Sequence, residues 1–195
     1  MYFPEDMNFQ YFFFNTYIGY FLQALPIALM AGLIYGVIRF RKDKETPVSR
    51  KIFSCAFVCY LTGLACLVIG LDLMGICYHN LFYPFDSGRE IRWFGGEIDL
   101  VPNFLHHMNG EVVGNLLMFL PFGVLCPLSQ ENPTWKRSVL AGLFTVIAIE
   151  VLQPVFGRAF DVNDIILNTL GILLSASGFL VAKRVSGKRA ADGKE

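Results

Sequence analysis

Residues 150–171 read EVLQPVFGRAFDVNDIILNTLG. The stretch joins two strongly apolar runs, yet it carries Glu150, Gln153, Arg158, Asp161, Asn163, Asp164 and Asn168. Such a concentration of polar groups is ordinary in a surface loop of a soluble domain. Between two membrane-spanning helices it is costly and needs a reason. What flanks the stretch decides which of the two it is.

The flanks are those of a membrane protein. Hydrophobic residues make up 54% of the 195, and charged residues only 16%; soluble domains hold roughly 45–50% and 25%. Mean hydropathy is +0.49. A helix crossing the hydrocarbon core needs about 20 mostly apolar residues. Five runs meet that need, at about 17–40, 52–73, 112–128, 138–154 and 165–182. The last three are short and are expected to stand nearly upright. Pro121 and Pro127 interrupt the third run, so a re-entrant hairpin is the alternative to a full span. The expected fold is an all-α, polytopic membrane bundle of about five transmembrane helices. The chain divides into residues 1–110 (two helices and a long loop), a three-helix core at 111–184, and a flexible tail at 185–195.

Orientation follows from the basic residues. The segment RFRKDKETPVSRK (39–51) holds six Lys or Arg, the connection before the fourth run ends in Lys136 and Arg137, and the tail holds five more. Thirteen of the 16 basic residues thus fall in three segments, which five spans place on one side. Cytoplasmic loops accumulate Lys and Arg, so the N-terminus is expected outside and the C-terminus in the cytoplasm. Aromatic residues crowd the opposite border, at Tyr11–Phe14 and Tyr78–Phe85, as expected at a membrane–water boundary. The formal net charge is zero, which gives no reason to expect a nucleic-acid partner. The N-terminus is acidic and aromatic, unlike a cleavable signal peptide.

Five cysteines argue against a complete disulfide framework. Cys55, Cys59 and Cys66 recur at helical spacing and read as small hydrophobes. Gly32 and Gly36 form a G-x-x-x-G step, a close-packing signal between helices and weak support for a dimer. His106 and His107 are adjacent and point apart on regular structure. With Glu111 they could join a polar site, but a loop near the interface is the simpler reading.

The orientation accounts for the opening stretch. Glu150 and Gln153, three apart, share a face in the last outer turn of the fourth helix. Arg158 and Asp161 lie in the outer turn, where Gly157 permits a tight bend. Asp164 falls at the N-cap or in the first turn of the fifth helix, which suits a carboxylate. Asn168 sits one turn deeper on the same face. Asn115 enters at similar depth from the third helix. A buried clasp would pair Arg158 with Glu150 or Asp164 and bridge helices through Asn115 and Asn168. Three carboxylates against one arginine exceed what a clasp needs, and that excess favours an outward-facing pocket.

These residues also carry a resemblance. NLLMFLPFG (115–123) is similar to the N-x-x-x-F-x-P-x-G signature of the VanZ-like family. EVLQPVFGRAFDVNDIILNTLG resembles that family's E-x-x-Q, R-x-x-D-x-x-D and N-T-x-G block, and DLVPNF (99–104) resembles the segment preceding it. The resemblance implies a multi-pass protein of the bacterial cytoplasmic membrane. It also implies a link to the cell envelope and to resistance to the glycopeptide teicoplanin, the antibiotic associated with the family's namesake.

On this reading the chain binds or acts on an envelope lipid or cell-wall precursor. The candidate catalytic residues are Glu150 and Asp164, as acid–base or cation-binding carboxylates, and Arg158, to hold a phosphate or carboxylate. Candidate ligand-binding residues are Asn115, Gln153, Asp161 and Asn168. A divalent cation is a candidate cofactor, and membrane lipids are the expected partners. No nucleophilic triad can be assembled. The alternatives are a non-catalytic accessory protein and, less favoured for want of an inverted repeat, a small transporter or flippase.

Overall fold

The computed structural model describes residues 17–70, 76, 80–81, 93–103 and 110–192. Five helical stretches among them are long and apolar enough to cross a membrane: Ile18–Lys42, Val48–Gly70, Val112–Ser129, Trp135–Phe156 and Val162–Val185. Each coincides with one of the five apolar runs. Residues 1–16, Asp72, Cys77, Arg89, Arg92, His106 and His107 lie outside the described residues.

Helix α1 is Tyr17–Lys42 and α2 is Val48–Ala65, which widens into a π-turn at Cys66–Gly70. A two-residue strand, β1 (Ile98–Asp99), precedes α3 (Gly110–Met118) and α4 (Leu120–Ser129). Helix α5 (Trp135–Leu152) tightens into a 3-10 turn at Gln153–Phe156. Strand β2 (Phe160–Asp161) leads into α6, Val162–Asp192, which continues beyond residue 184 into the segment read as a tail.

Cross-helix contacts fix the directions. Gly32 lies against Cys55 and Cys59, and Gly63 against Ala28, so α1 and α2 are antiparallel. Phe57 packs edge-on to Phe122 at 5.2 Å, and Tyr60 reaches Met118, so α2 runs against α3 and α4. Asn115 meets Asp164, Leu116 meets Gly171, and Gly123 meets Ser175 and Ala176, so α3–α4 and α6 run in parallel. Trp135 Nε1 donates to Ser177 Oγ at 3.1 Å and Gly142 faces Ile172, so α5 returns antiparallel. The described helices therefore traverse the bundle five times. The connections at 43–47 and 130–134 and the end of α6 share one end of the bundle. The strap at 93–103 and the turn at 157–161 share the other.

The third span bends without reversing. Pro121 has no N–H for an α-helical bond and its ring excludes the usual carbonyl. Phe122 N–H turns instead to the Phe119 carbonyl, three residues back, at 3.2 Å. Met118 loses that donor, and the Tyr60 hydroxyl supplies another at 2.9 Å. A carbonyl left bare at this depth would cost several kcal/mol. The contacts of this span move from Asp164 to Ala176 along α6, which is a traverse and not a hairpin.

Helix α6 is the axis of the three-helix core. A Cβ on Gly171 would stand 2.4 Å from the Leu116 carbonyl oxygen, and one on Gly123 would stand 2.0 Å from Ser175 Oγ. One on Gly142 would meet Ile172 Cδ1 at 2.6 Å. Such small residues let helix backbones close up where no hydrophobic force separates helix from lipid. Phe119, Phe122, Cys126, Val146 and Ile172, with Leu64 and Val68 from the second span, form the buried apolar cluster. On α5 the inward positions are Ser138, Gly142, Val146 and Glu150, four apart. The outward ones include Leu140, Phe144, Ile147 and Val151, all exposed. Small or polar inside and bulky apolar outside is the pattern of a helix facing lipid.

The G-x-x-x-G step at Gly32 and Gly36 is used within the chain, against half-buried Cys55 and Cys59 of α2. Cys126 is fully buried, and the four described cysteines are free thiols.

Candidate functional site

The turn between α5 and α6 is built before it can serve as a site. Gly157 has φ +80°, the left-handed conformation that closes the 3-10 turn. Its N–H donates to the Pro154 carbonyl (3.2 Å) and that of Arg158 to the Gln153 carbonyl (3.1 Å). The strap 93–103 then lies across the turn. Phe94 N–H donates to the Val155 carbonyl (3.2 Å) and Phe160 N–H to the Glu97 carbonyl (2.8 Å). Ile98 pairs with Phe160 and Asp99 with Asp161 in parallel register. The approach is so close that a Cβ at Gly96 would stand 1.9 Å from the Arg158 carbonyl oxygen. The ring of Trp93 leans on Phe156 at 5.8 Å. The described part of the long loop thus folds back onto the bundle.

Asp161 caps α6. Its Oδ1 accepts from the N–H of Asn163 at 2.7 Å, one of the donors that a helix start leaves without an intrahelical partner. Asp164 therefore occupies the first turn, not the cap. Its carboxylate accepts from the Asn115 side-chain amide, which joins α3 to α6. Glu150 is 1% exposed. Its Oε2 accepts from Asp161 N–H at 3.3 Å. The Gln153 amide fits with its nitrogen turned to the same Oε2 (2.9 Å) and to the Ala159 carbonyl (3.0 Å). The pair three residues apart thus does share a face. Asp164, Asp161 and Arg158 all lie within electrostatic range of the Glu150 carboxylate.

Arg158 is exposed, and its Nη1 donates to the Val68 carbonyl at 2.8 Å. Val68 lies in the last described turn of the second span, where helix carbonyls lack partners and a cation is favoured. The expected clasp had Arg158 facing Glu150 or Asp164; this contact with α2 adds a helix that the sequence reading had left outside the node. Asn168 is 3% exposed, and its Oδ1 has no hydrogen-bond partner.

One residue of the node was overlooked as a site residue. Asn163, buried, accepts from Asn103 N–H at 2.8 Å and donates to Asp161 Oδ1 (2.7 Å), Asn103 Oδ1 (3.2 Å) and the Val101 carbonyl (3.5 Å). It fastens the strap to the start of α6. Its position between Asp161 and Asp164 was visible, but its partner lies 60 residues away in sequence.

The seven candidate residues therefore stand at one end of the bundle, in two layers. Glu150, Gln153 and Asn168 are buried, while Asn115, Asp161 and Asp164 are half-buried and Arg158 is exposed. Among the described residues no group of three or more His, Cys, Asp or Glu side chains is placed to hold a metal ion.

A five-crossing helical bundle with a polar node at one end defines a multi-pass membrane protein. The VanZ/LLP1 family matches the chain over residues 57–183, about two thirds of its length. The chain belongs to that family. The match begins within α2, so the half of the second span that supplies Tyr60 and Val68 is part of the family unit. No curated protein and no solved structure matches the chain.

Proposed function

We propose that the polar node faces the extracytoplasmic side and binds the headgroup of an envelope lipid or a lipid-linked cell-wall precursor. The observation that carries this reading is Glu150. A carboxylate 1% exposed within a membrane span costs roughly 3 kcal/mol at the bilayer centre, less near the interface. Here it is held by a backbone N–H and an amide, with two further carboxylates in electrostatic range. The basic segments gather at the opposite end of the bundle, which supports an outward node and a cytoplasmic C-terminus. Bacterial cytoplasmic-membrane localisation and a part in glycopeptide resistance rest on family membership alone.

The layers suggest separate roles. Arg158, Asp164, Asp161 and Asn115 form the face that meets the ligand. Arg158 offers a planar fork of donors to a phosphate or carboxylate. Glu150, Gln153 and Asn168 form the layer beneath. If the node is catalytic, Glu150 and Asp164 are its acid–base pair. Alanine variants at Arg158 and Asp164, purified and shown to be folded, test the reading. Loss of retention of lipid-linked precursors supports it, and wild-type retention in both defeats it. Turnover of the retained precursor would make the protein an enzyme.

A second reading has its own observation. The hydrogen bonds of the node mostly join one part of the chain to another: Asn115 to Asp164, Arg158 to Val68, Asn163 to Asn103. A structural clasp in a non-catalytic accessory protein would look the same. It predicts variants that fail to assemble instead of variants that assemble and lose ligand.

A further inference from the structure

Two buried side-chain oxygens without a hydrogen-bond partner stand next to each other on α6: Asn168 Oδ1 and Thr169 Oγ1. A threonine hydroxyl can rotate onto a carbonyl of its own helix. An amide oxygen is only an acceptor, and every backbone N–H in the helix interior is already committed. Asn168 Oδ1 therefore awaits a donor from outside the helix.

The helix register places that oxygen. Ile172 fills the space above Gly142 of α5. One turn toward the node on each helix gives Asn168 and Val146; a second turn gives Asp164 and Glu150. Asn168 is thus about 6 Å along the axis beneath the level of the two carboxylates, on the α6 face that carries Asp164 and Ile172. The register sets these three oxygen-bearing side chains within about two turns of one another on two packed helices. They supply acceptors, and the charges acting on Glu150 are mostly negative: Asp164 and Asp161 against Arg158.

We infer that Asn168, Asp164 and Glu150 form the floor of a site for a primary ammonium group, as carried by an amino-headgroup phospholipid. The inference rests on the headgroup reading above and narrows it to one class. An ammonium presents three N–H donors and a compact positive charge. It can reach an amide oxygen and two carboxylates together. A trimethylammonium keeps the charge but has no N–H to give. An anionic headgroup brings acceptors to a site that already has them.

The test uses the full chain in detergent, with native mass spectrometry and thermal unfolding as readouts. Phosphatidylethanolamine, phosphatidylcholine and phosphatidylglycerol of identical acyl chains are compared, alongside soluble phosphoethanolamine and magnesium chloride. The ethanolamine lipid is expected to bind at least about tenfold more tightly than the choline lipid, the order of a lost hydrogen bond to a charged group. Asn168→Ala, which removes the amide oxygen without adding bulk at this buried position, should erase most of that difference while leaving the melting temperature without lipid near that of wild type. Asp164→Asn should weaken ethanolamine binding by a similar factor. Binding of soluble phosphoethanolamine with the same dependence on Asn168 assigns the site to the free headgroup; its absence assigns it to the lipid. Equal binding of ethanolamine and choline lipids, or ethanolamine binding indifferent to Asn168→Ala, overturns the inference. Tight phosphatidylglycerol binding lost in Arg158→Ala would overturn it yet keep the headgroup reading. Stabilisation by magnesium alone would replace it with a metal site. No discrimination among lipids would remove both.

Discussion

The Tyr60 hydroxyl of α2 donates to the Met118 carbonyl at 2.9 Å, at the point where Pro121 breaks the backbone bonding of the third span. A side chain from one helix thus repairs a gap in another. Tyr60→Phe keeps the ring against Phe57 and Phe122 and removes only the hydroxyl. Interhelical bonds in membranes are worth about 0.6 kcal/mol on average and up to about 1.7. The value here should fall at the upper end, because the carbonyl has lost its own helical donor. Unfolding free energy measured in bicelles checks this; a variant as stable as wild type would mean the carbonyl finds water or another donor.

Glycines should separate into two groups. Gly171→Ala and Gly123→Ala place a Cβ within 2.4 Å and 2.0 Å of existing atoms, in the first case a backbone oxygen. The helices must move apart, at about 1–3 kcal/mol or more each. Gly114→Ala and Gly178→Ala meet nothing within 4 Å. These should be neutral or stabilising by up to about 1 kcal/mol through helix propensity. Thermal unfolding of the four variants decides it, and a uniform effect would contradict the packing described.

Gly96→Ala should act locally. Its Cβ would collide with the Arg158 and Pro154 backbone, so the strap must lift off the turn. Faster hydrogen exchange is expected at Phe94 and Phe160, whose N–H groups bond across the gap, with the exchange of α4 and mid-α6 unchanged. Unchanged protection at Phe160 would show that the strand pair does not depend on Gly96.

The α1–α2 connection carries a pH dependence of defined sign. Asp43 accepts from the Thr46 N–H (3.0 Å) and hydroxyl (2.7 Å) and pairs with Arg39 at 3.1 Å. These contacts, the Thr46 N–H foremost, hold its carboxyl below the ordinary value of 3.8. A depressed folded pKa means that the stabilisation is present above the unfolded value and is lost as pH falls through the folded one. Thr46→Ala should therefore be less stable than wild type at neutral pH, with the gap closing once the pH drops below 3.8. A gap that persists in acid would assign the loss to something other than the ion.

Sidedness can be read by cysteine labelling with a membrane-impermeant maleimide. Lys44→Cys and Arg137→Cys should react from one side, and Ala159→Cys from the other. The proposed orientation expects Ala159→Cys to label in intact cells. Labelling of Lys44→Cys and Ala159→Cys from the same side would break the five-crossing topology itself.

Much of this was legible in the sequence, for physical reasons. Lipid imposes a length and an apolarity on each span, so all five membrane-crossing stretches could be located to within a few residues. The spacing of Glu150 and Gln153, and the shared depth of Asn115 and Asp164, followed from helix geometry and an odd number of crossings. What escaped was contact between distant segments. Nothing near Arg158 names the Val68 carbonyl, because a backbone acceptor has no residue signature. The Asn163–Asn103 link and the two-residue strand pair depend on how a long loop returns. Tyr60 is one aromatic in an apolar run, and only the Met118 carbonyl freed beside Pro121 gives its hydroxyl a partner.

The strap has a consequence for anyone altering this chain. Because β1 and β2 pair in parallel, the polypeptide between them, including α3 to α5, is a loop tied off at its neck. Lengthening the 157–161 turn by even one residue would shift Phe160 and Asp161 out of register and untie it. A tag or fusion partner belongs instead near Glu131 and Asn132, where both residues are exposed and the connection closes no such knot.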